Sequence, residues 1–166
     1  MARRIAIIQG HPDPSRHLLH AMADAYAGGA AVAGHEVRRI EVVKLDFPLL
    51  RTQAEFETGI LPPALMQPRE DMRWAEHWIF LFSLWHGTMP ALFKGFFEHI
   101  FRPGFALEYK EGSFPKRLLA GRSARIVVTI GMPVMLYRWY FGAYGVRAAS
   151  VGEVLHCDGN SSAKIR

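Results

Sequence analysis

A chain of 166 residues that is half apolar and 12% aromatic suits one domain with a substantial core, and its composition argues against disorder. The formal charge is +5, with 15 Arg against 5 Lys, yet the basic residues (Arg3, Arg38, Arg69, Arg102, Arg122, Arg147) are scattered. Nucleic acid binding wants a basic cluster or stripe and is therefore not expected; the charge fits phosphate-bearing cofactors, or plain solubility, equally well.

The start, MARRIAIIQG, is basic and then briefly apolar, with His11-Pro12-Asp13-Pro14 directly behind it. The apolar stretch is too short for a secretory core and lacks a small-residue cleavage site. Residues 5–9 form a continuously apolar run, the pattern of a buried parallel strand. Residues 18–33, rich in Ala, Leu and Met at helical spacing, predict a helix, with Gly34 placed to close it. Residues 37–43 resume as a strand whose Arg38, Arg39 and Glu41 suggest a sheet edge. Strand, helix and strand in this span are the size of a βαβ unit.

Residues 47–63 carry Pro48, Gly59, Pro62 and Pro63 with little periodicity and read as an irregular excursion. A short helix over 65–76, a third strand over 78–82 and a helix over 91–101 follow. Between Glu76 and Lys94 the only titratable side chains are His77 and His86, but Gly87 and Pro90 interrupt the window, so no membrane insertion is expected. Residues 103–122 read as a loop-rich insertion with room for a small hairpin. A fourth strand over 124–130 ends at Gly131-Met132-Pro133, and a helical stretch is expected over 136–144. The single Cys157 excludes an intrachain disulfide, and a lone Cys usually behaves as a small buried hydrophobe. A soluble protein of the reducing cytoplasm fits these features.

Alternating strands and helices imply a single α/β domain over 1–166, a three-layer sandwich with a parallel sheet and right-handed crossovers. The end is incomplete against that plan. Residues 151–157 suit a helix and 162–166 a beginning strand, with no helix behind it. The sheet is then unusually short, or a partner covers its face, or the C-terminal strand and helix are truncated or altered.

Three strand–loop junctions carry the polar chemistry. Residues 10–17, GHPDPSRH, lie between the first strand and the first helix, whose leading amides lack partners and sit at the positive end of the dipole. A phosphate fits there, with Ser15, His11, Arg16 and His17 as donors; the plainer reading is a loop capped at Asp13 or Ser15. No GxGxxG or GxxxxGK[ST] pattern is present, and there is no G-x-S-x-G elbow. At the second junction, Trp85, His86, Gly87 and Thr88 could stack on and hydrogen-bond to a flat ring, although Trp85 could also be a packing residue. Open α/β sheets bind ligands beyond the carboxyl ends of their strands. Thr129, Gly131 and the nearby Tyr137 form the third junction, beside the second if strands three and four are neighbours. The aromatics Tyr137, Trp139, Tyr140, Phe141 and Tyr144 exceed what a small helix buries, pointing to a subunit interface or a substrate roof. His77, Glu98 and His99 lack metal-ligand spacing, so no metal is expected.

The stretches GHPDPSRHLLHAMADA, FSLWHGTMPALFKGFFEHIFRPGFALEY and RIVVTIGMP with Tyr137 resemble the flavodoxin-like NAD(P)H:quinone oxidoreductases. That family includes quinone reductases and the ancillary oxidoreductase subunits of bacterial potassium efflux systems. The resemblance covers about residues 4–145 and implies FMN or FAD in a flavodoxin-type sheet, with NAD(P)H as reductant and a quinone or similar small molecule as acceptor. By match of motif, His11, Ser15, Arg16, His17 and Leu18 would hold the flavin phosphate. Ser83, Leu84, Trp85 and His86 would line the ring, and Thr129 and Gly131 would close its other side. His86 and Tyr137 are the candidate catalytic residues. A homodimer is implied as well. Ser83 stands where many relatives have Pro, His86 stands near a position often held by a large aromatic, and the likeness fades over 150–166. The competing reading is a regulatory flavin- or nucleotide-binding ancillary subunit of a membrane transporter. An electron-carrier flavodoxin fits less well, since those proteins are usually acidic.

Overall fold

The computed structural model describes residues 2–108, 116–131, 133 and 135. In chain order the elements are β1 (Arg4–Gln9), α1 (Leu18–Val32), β2 (Glu36–Glu41), α2 (Gln53–Thr58), α3 (Pro63–Trp74), β3 (His77–Ser83), α4 (Ala91–Ile100), β4 (Leu107–Glu108), β5 (Lys116–Arg117) and β6 (Ser123–Thr129). Four strands form one parallel sheet in the order β2-β1-β3-β6. The chain therefore leaves β1 toward β2 on one side and returns to β3 on the other, so the strand order reverses between β1 and β3.

Side-chain parity sorts the two faces. Ala6, Ile8, Trp78, Phe80, Phe82 and Ile126 point toward Leu65 and Met72 of α3 and Phe93, Phe96 and Ile100 of α4. Ile5, Ile7, Ile79 and Leu81 point the other way, onto Leu19, Ala23 and Ala30 of α1. Alternation at period two thus yields one aromatic layer and one thinner layer of small residues. On α4, Phe93, Phe96, Phe97 and Ile100 recur at i, i+3, i+4 and i+7, which puts them on one stripe. Trp78 is fully buried, and its indole N–H donates to the Met72 carbonyl at 2.8 Å, so the largest core side chain brings no unpaired polar atom inside.

The helix ends follow local chemistry. Gly34 has φ +77°, and the N–H groups of Gly34 and His35 donate to the carbonyls of Ala31 and Ala30 at 2.9 Å each. That pair of bonds is the Schellman closure anticipated for Gly34. Three expectations need correction. The 47–63 excursion contains α2, whose start is capped by the Thr52 hydroxyl accepting from the Glu55 N–H at 3.1 Å; six residues are too few for a periodic signal. The second strand stops at Glu41, because Val42–Lys44 close into a 3-10 turn. Neither Asp13 nor Ser15 caps α1: the N-cap is His17, whose backbone N–H donates to the Nδ1 of His20 at 3.1 Å. The small hairpin is present as β4 paired antiparallel with β5. The stretches proposed over 136–144, 151–157 and 162–166 lie outside the described residues.

Candidate functional site

Pairing β1 with β3 sets the 10–17 loop beside the 84–90 loop, and pairing β3 with β6 adds residues 129–131. Backbone bonds stitch the three together. The Gly10 N–H donates to the Leu81 carbonyl at 2.8 Å, and the Leu84 N–H to the Thr129 carbonyl at 2.9 Å. Ser83 and Thr129 share a hydroxyl–hydroxyl bond of 2.8 Å. All the described candidate residues thus fall at the carboxyl ends of β1, β3 and β6. Tyr137 lies outside the described residues.

Gly10 is where the chain must be bare. A Cβ there would fall inside the ring of Phe93, so the aromatic of α4 presses directly on the first turn of the loop. Beyond it, the loop folds around a carboxylate. Asp13 Oδ1 accepts from both the N–H and the hydroxyl of Ser15 at 2.8 Å, while Asp13 Oδ2 lies 2.9 Å from His17 Nε2. These contacts, led by the Ser15 backbone bond, hold the Asp13 carboxyl well below the usual carboxylate range. The donors of Ser15 and His17 therefore already converge on anionic oxygen at the head of α1. Arg16 is exposed and reaches Asp24 at 3.6 Å, and Leu18 is 68% exposed.

His11 is buried, with its ring centroid 4.2 Å from that of His17 and 6.3 Å from Trp85, the last pair edge to face. Burial pushes its pKa down, with the nearby His17 and His20 adding to the effect against an opposing bond to the Asp13 backbone. An anion brought beside it would reverse that shift. His11 is the link between the polar loop and the aromatic one.

The aromatic loop is a tight two-residue hairpin. Trp85 and Thr88 exchange backbone bonds of 2.9 and 3.1 Å, and the two residues between them, His86 and Gly87, have φ of +50° and +80°. Two successive positive φ values mark a type I′ turn. Gly accepts that conformation freely; for His86 it costs roughly 1 kcal/mol, a cost consistent with selection for something other than a plain connection. Trp85 is 49% exposed, which leaves half of a large ring surface uncovered among these strand ends.

Sequence reasoning missed one residue. Gln9, the last residue of β1, is 5% exposed, and neither atom of its side-chain amide has a partner among the described residues. By parity it shares the α1 face with Ile5 and Ile7. A buried unpaired amide costs about 1–3 kcal/mol, and it sits one residue before the 10–17 loop. Its signal was legible as the lone polar residue closing an otherwise apolar strand. A flavin fits this arrangement: an anion-ready helix start, a half-exposed indole beside it, and a buried amide without a partner. Ser15, Arg16, His17, His11 and Leu18 would surround the phosphate, and Ser83, Leu84, Trp85, His86, Thr129 and Gly131 the ring. Among the described residues no His, Cys, Asp and Glu group could hold a metal ion, and no helix is long and apolar enough to cross a membrane.

Comparison with known proteins extends the picture. The model of the family described as flavodoxin-like fold matches residues 3–154. A ribosyldihydronicotinamide dehydrogenase-like protein of Penicillium crustosum is 28% identical over 154 residues, covering 77% of this chain and 57% of that protein. An uncharacterized NAD(P)H oxidoreductase of Haemophilus influenzae is 24% identical, covering 80% of this chain and 66% of its own length. The chain thus spans less than two thirds of each of these relatives. In fold it is similar to an NAD(P)H:quinone oxidoreductase of Methanothermobacter marburgensis, with TM-score 0.79 at 21% identity over 100% of this chain and 86% of that one.

Proposed function

The chain belongs to the flavodoxin-like fold family, and from that premise we propose that it is a flavin-dependent NAD(P)H oxidoreductase acting on a quinone or similar acceptor. The observation that carries the reading is the meeting of two loops where the strand order reverses. The anion-ready start of α1 adjoins the half-exposed Trp85 through the edge contact of His11. In flavodoxin-like sheets this switch point, between the first and third strands, is where the flavin binds. The oxidoreductase names of the Penicillium and Haemophilus relatives support the activity.

When bound, the flavin supplies the hydride chemistry between NAD(P)H and the acceptor. The protein's part is placement. Ser15, His17 and the leading amides of α1 hold the phosphate, with Arg16 adding positive charge. Trp85 would lie against the ring and exclude water from it. Backbone groups of Ser83, Leu84 and Gly131 meet the ring edge. His86, exposed on its left-handed turn, is assigned to hydrogen-bond an acceptor oxygen. Tyr137 is assigned the same duty on the strength of the motif. The aromatics of 136–144 support a homodimer in which this mouth is shared.

The experiment is direct. Purified protein should be yellow, or become so with FMN or FAD, and mass identification of the released cofactor decides between them. Flavin should raise Tm, because a ligand that binds only the native state stabilises it, and NAD(P)H oxidation should be stimulated by quinone. A colourless protein whose Tm ignores both flavins sinks the proposal. Light scattering reads the dimer.

A further inference from the structure

The amino ends of the same strands hold a second concavity, a groove of about 500 Å³ between α1 and the sheet. Its floor is apolar, formed by Ile5, Gly29 and Ala30, and its rim carries Arg3, His35, His77 and Arg125. Among the described residues no carboxylate lines it.

His35, Tyr26 and Arg125 on this rim are each left with a hydrogen to give. The backbone N–H of Arg3 donates to His35 Nδ1 at 3.3 Å, which places the His35 proton on Nε2. Arg125 donates to the Tyr26 hydroxyl oxygen at 2.9 Å, so the Tyr26 O–H is free to donate in turn. His77 Nδ1 is engaged with the Ser123 hydroxyl at 2.7 Å, and its other nitrogen is open to a second partner. The nearby acids have partners of their own: Glu76 pairs with Arg4 and also feels the charge of Arg3, and Asp24 pairs with Arg39 and Arg16. Near the end of α1 the Ala31 and Ala30 carbonyls accept from the N–H groups of Gly34 and His35. Burial, then the charges of Arg125 and Arg3, depress the pKa of His77, as expected where two guanidinium fields converge.

We propose that this groove is a binding site for a small amphipathic carboxylate, its anionic head against Arg3 and Arg125 and its apolar body on Gly29, Ala30 and Ile5. Two guanidinium groups, with the His35 and Tyr26 donors beside them, favour a ligand head that is all acceptor, and charge-assisted bonds to guanidinium are roughly twice as strong as neutral ones. The volume matches the lower range of small-molecule sites, roughly 300–1,000 Å³. The site lies at the opposite end of the strands from the proposed flavin and does not depend on that reading.

Phenylacetate and its neutral analogue phenylacetamide are the probes, titrated into the full chain and followed by two-dimensional NMR. The acid should saturate with shifts centred on Gly29, Ala30 and His77, about tenfold tighter than the amide. Arg125→Gln should weaken it several-fold. Gly29→Leu should abolish it while leaving Tm equal or higher, since an added Cβ at Gly29 meets no atom within 4 Å and Leu is the better helix former. Equal affinity for acid and amide, no saturation at about 10 mM, or binding unchanged in Gly29→Leu would each overturn the proposal. Displacement of phenylacetate by FMN would do so as well, by placing the probe at the other end of the sheet.

Discussion

Two tryptophans seven positions apart, Trp78 at the base of β3 and Trp85 just past its tip, meet opposite fates. Trp78 is fully buried with its indole N–H bonded to Met72. Trp85 is 49% exposed on a strained hairpin, with the edge of His11 against it. The first stabilises the fold by burial with no polar cost. The second leaves apolar area in water, which only a ligand or partner recovers. One strand therefore runs from a structural end to a functional end, and the boundary falls near Ser83, where alternation stops and loop chemistry begins.

The largest test of that contrast is Trp78→Ala, expected to cost about 3–5 kcal/mol by chemical denaturation, the range for truncating a large buried aromatic. A loss no greater than at an exposed site would break the comparison. Trp85→Ala should do the reverse: stability within about 0.5 kcal/mol, as at most surface positions, but flavin affinity reduced about tenfold by titration, from a stacking contribution of about 1.5 kcal/mol. Unchanged affinity would remove Trp85 from the site.

Gln9→Leu sharpens the contrast at β1. Removing an unpaired buried amide should stabilise the ligand-free protein by about 1 kcal/mol while weakening flavin binding if the amide completes its bonds on the ligand. Stabilisation with no change in flavin affinity would make Gln9 a packing residue only.

The smallest effect concerns pH. Burial and the neighbouring arginines hold the His77 pKa below its ordinary value, so below about pH 6.5 the unfolded chain binds the proton more readily than the folded one. Stability should therefore fall as pH drops through that value, and His77→Gln should flatten part of the slope in Tm measured between about pH 7 and 5. His11, depressed for the same leading reason, contributes in the same direction and accounts for the slope that remains. A slope unaltered by His77→Gln would show that the imidazole is not penalised by folding.

Much of the architecture was legible because its causes are local. Residues 5–9 announced a buried strand, 91–101 a helix, and Gly34 a helix end, each through local pattern or backbone permission within a few residues. α2 was missed because six residues capped by Thr52 show no period. The cap of α1 was misassigned because Asp13 and Ser15 bond to each other rather than to the helix. Within the site, the 10–17 and 84–90 loops were visible as polar interruptions. Gln9 was not singled out, since whether a polar residue at a strand end has a partner depends on what surrounds it.

The sequence by itself determined the elements, their order, and which junctions carry donors, anion affinity and an aromatic ring, because those follow from side-chain type and short-range spacing. The tertiary structure alone decided that β1 lies between β2 and β3. That neighbourhood brings His11 to Trp85, leaves the Gln9 amide without a partner, and gathers Arg3, His35, His77 and Arg125 around one groove. Such contacts join residues as far as 122 positions apart, Arg3 and Arg125. Chain order cannot specify them, because they come from strand pairing and from the burial that the pairing permits.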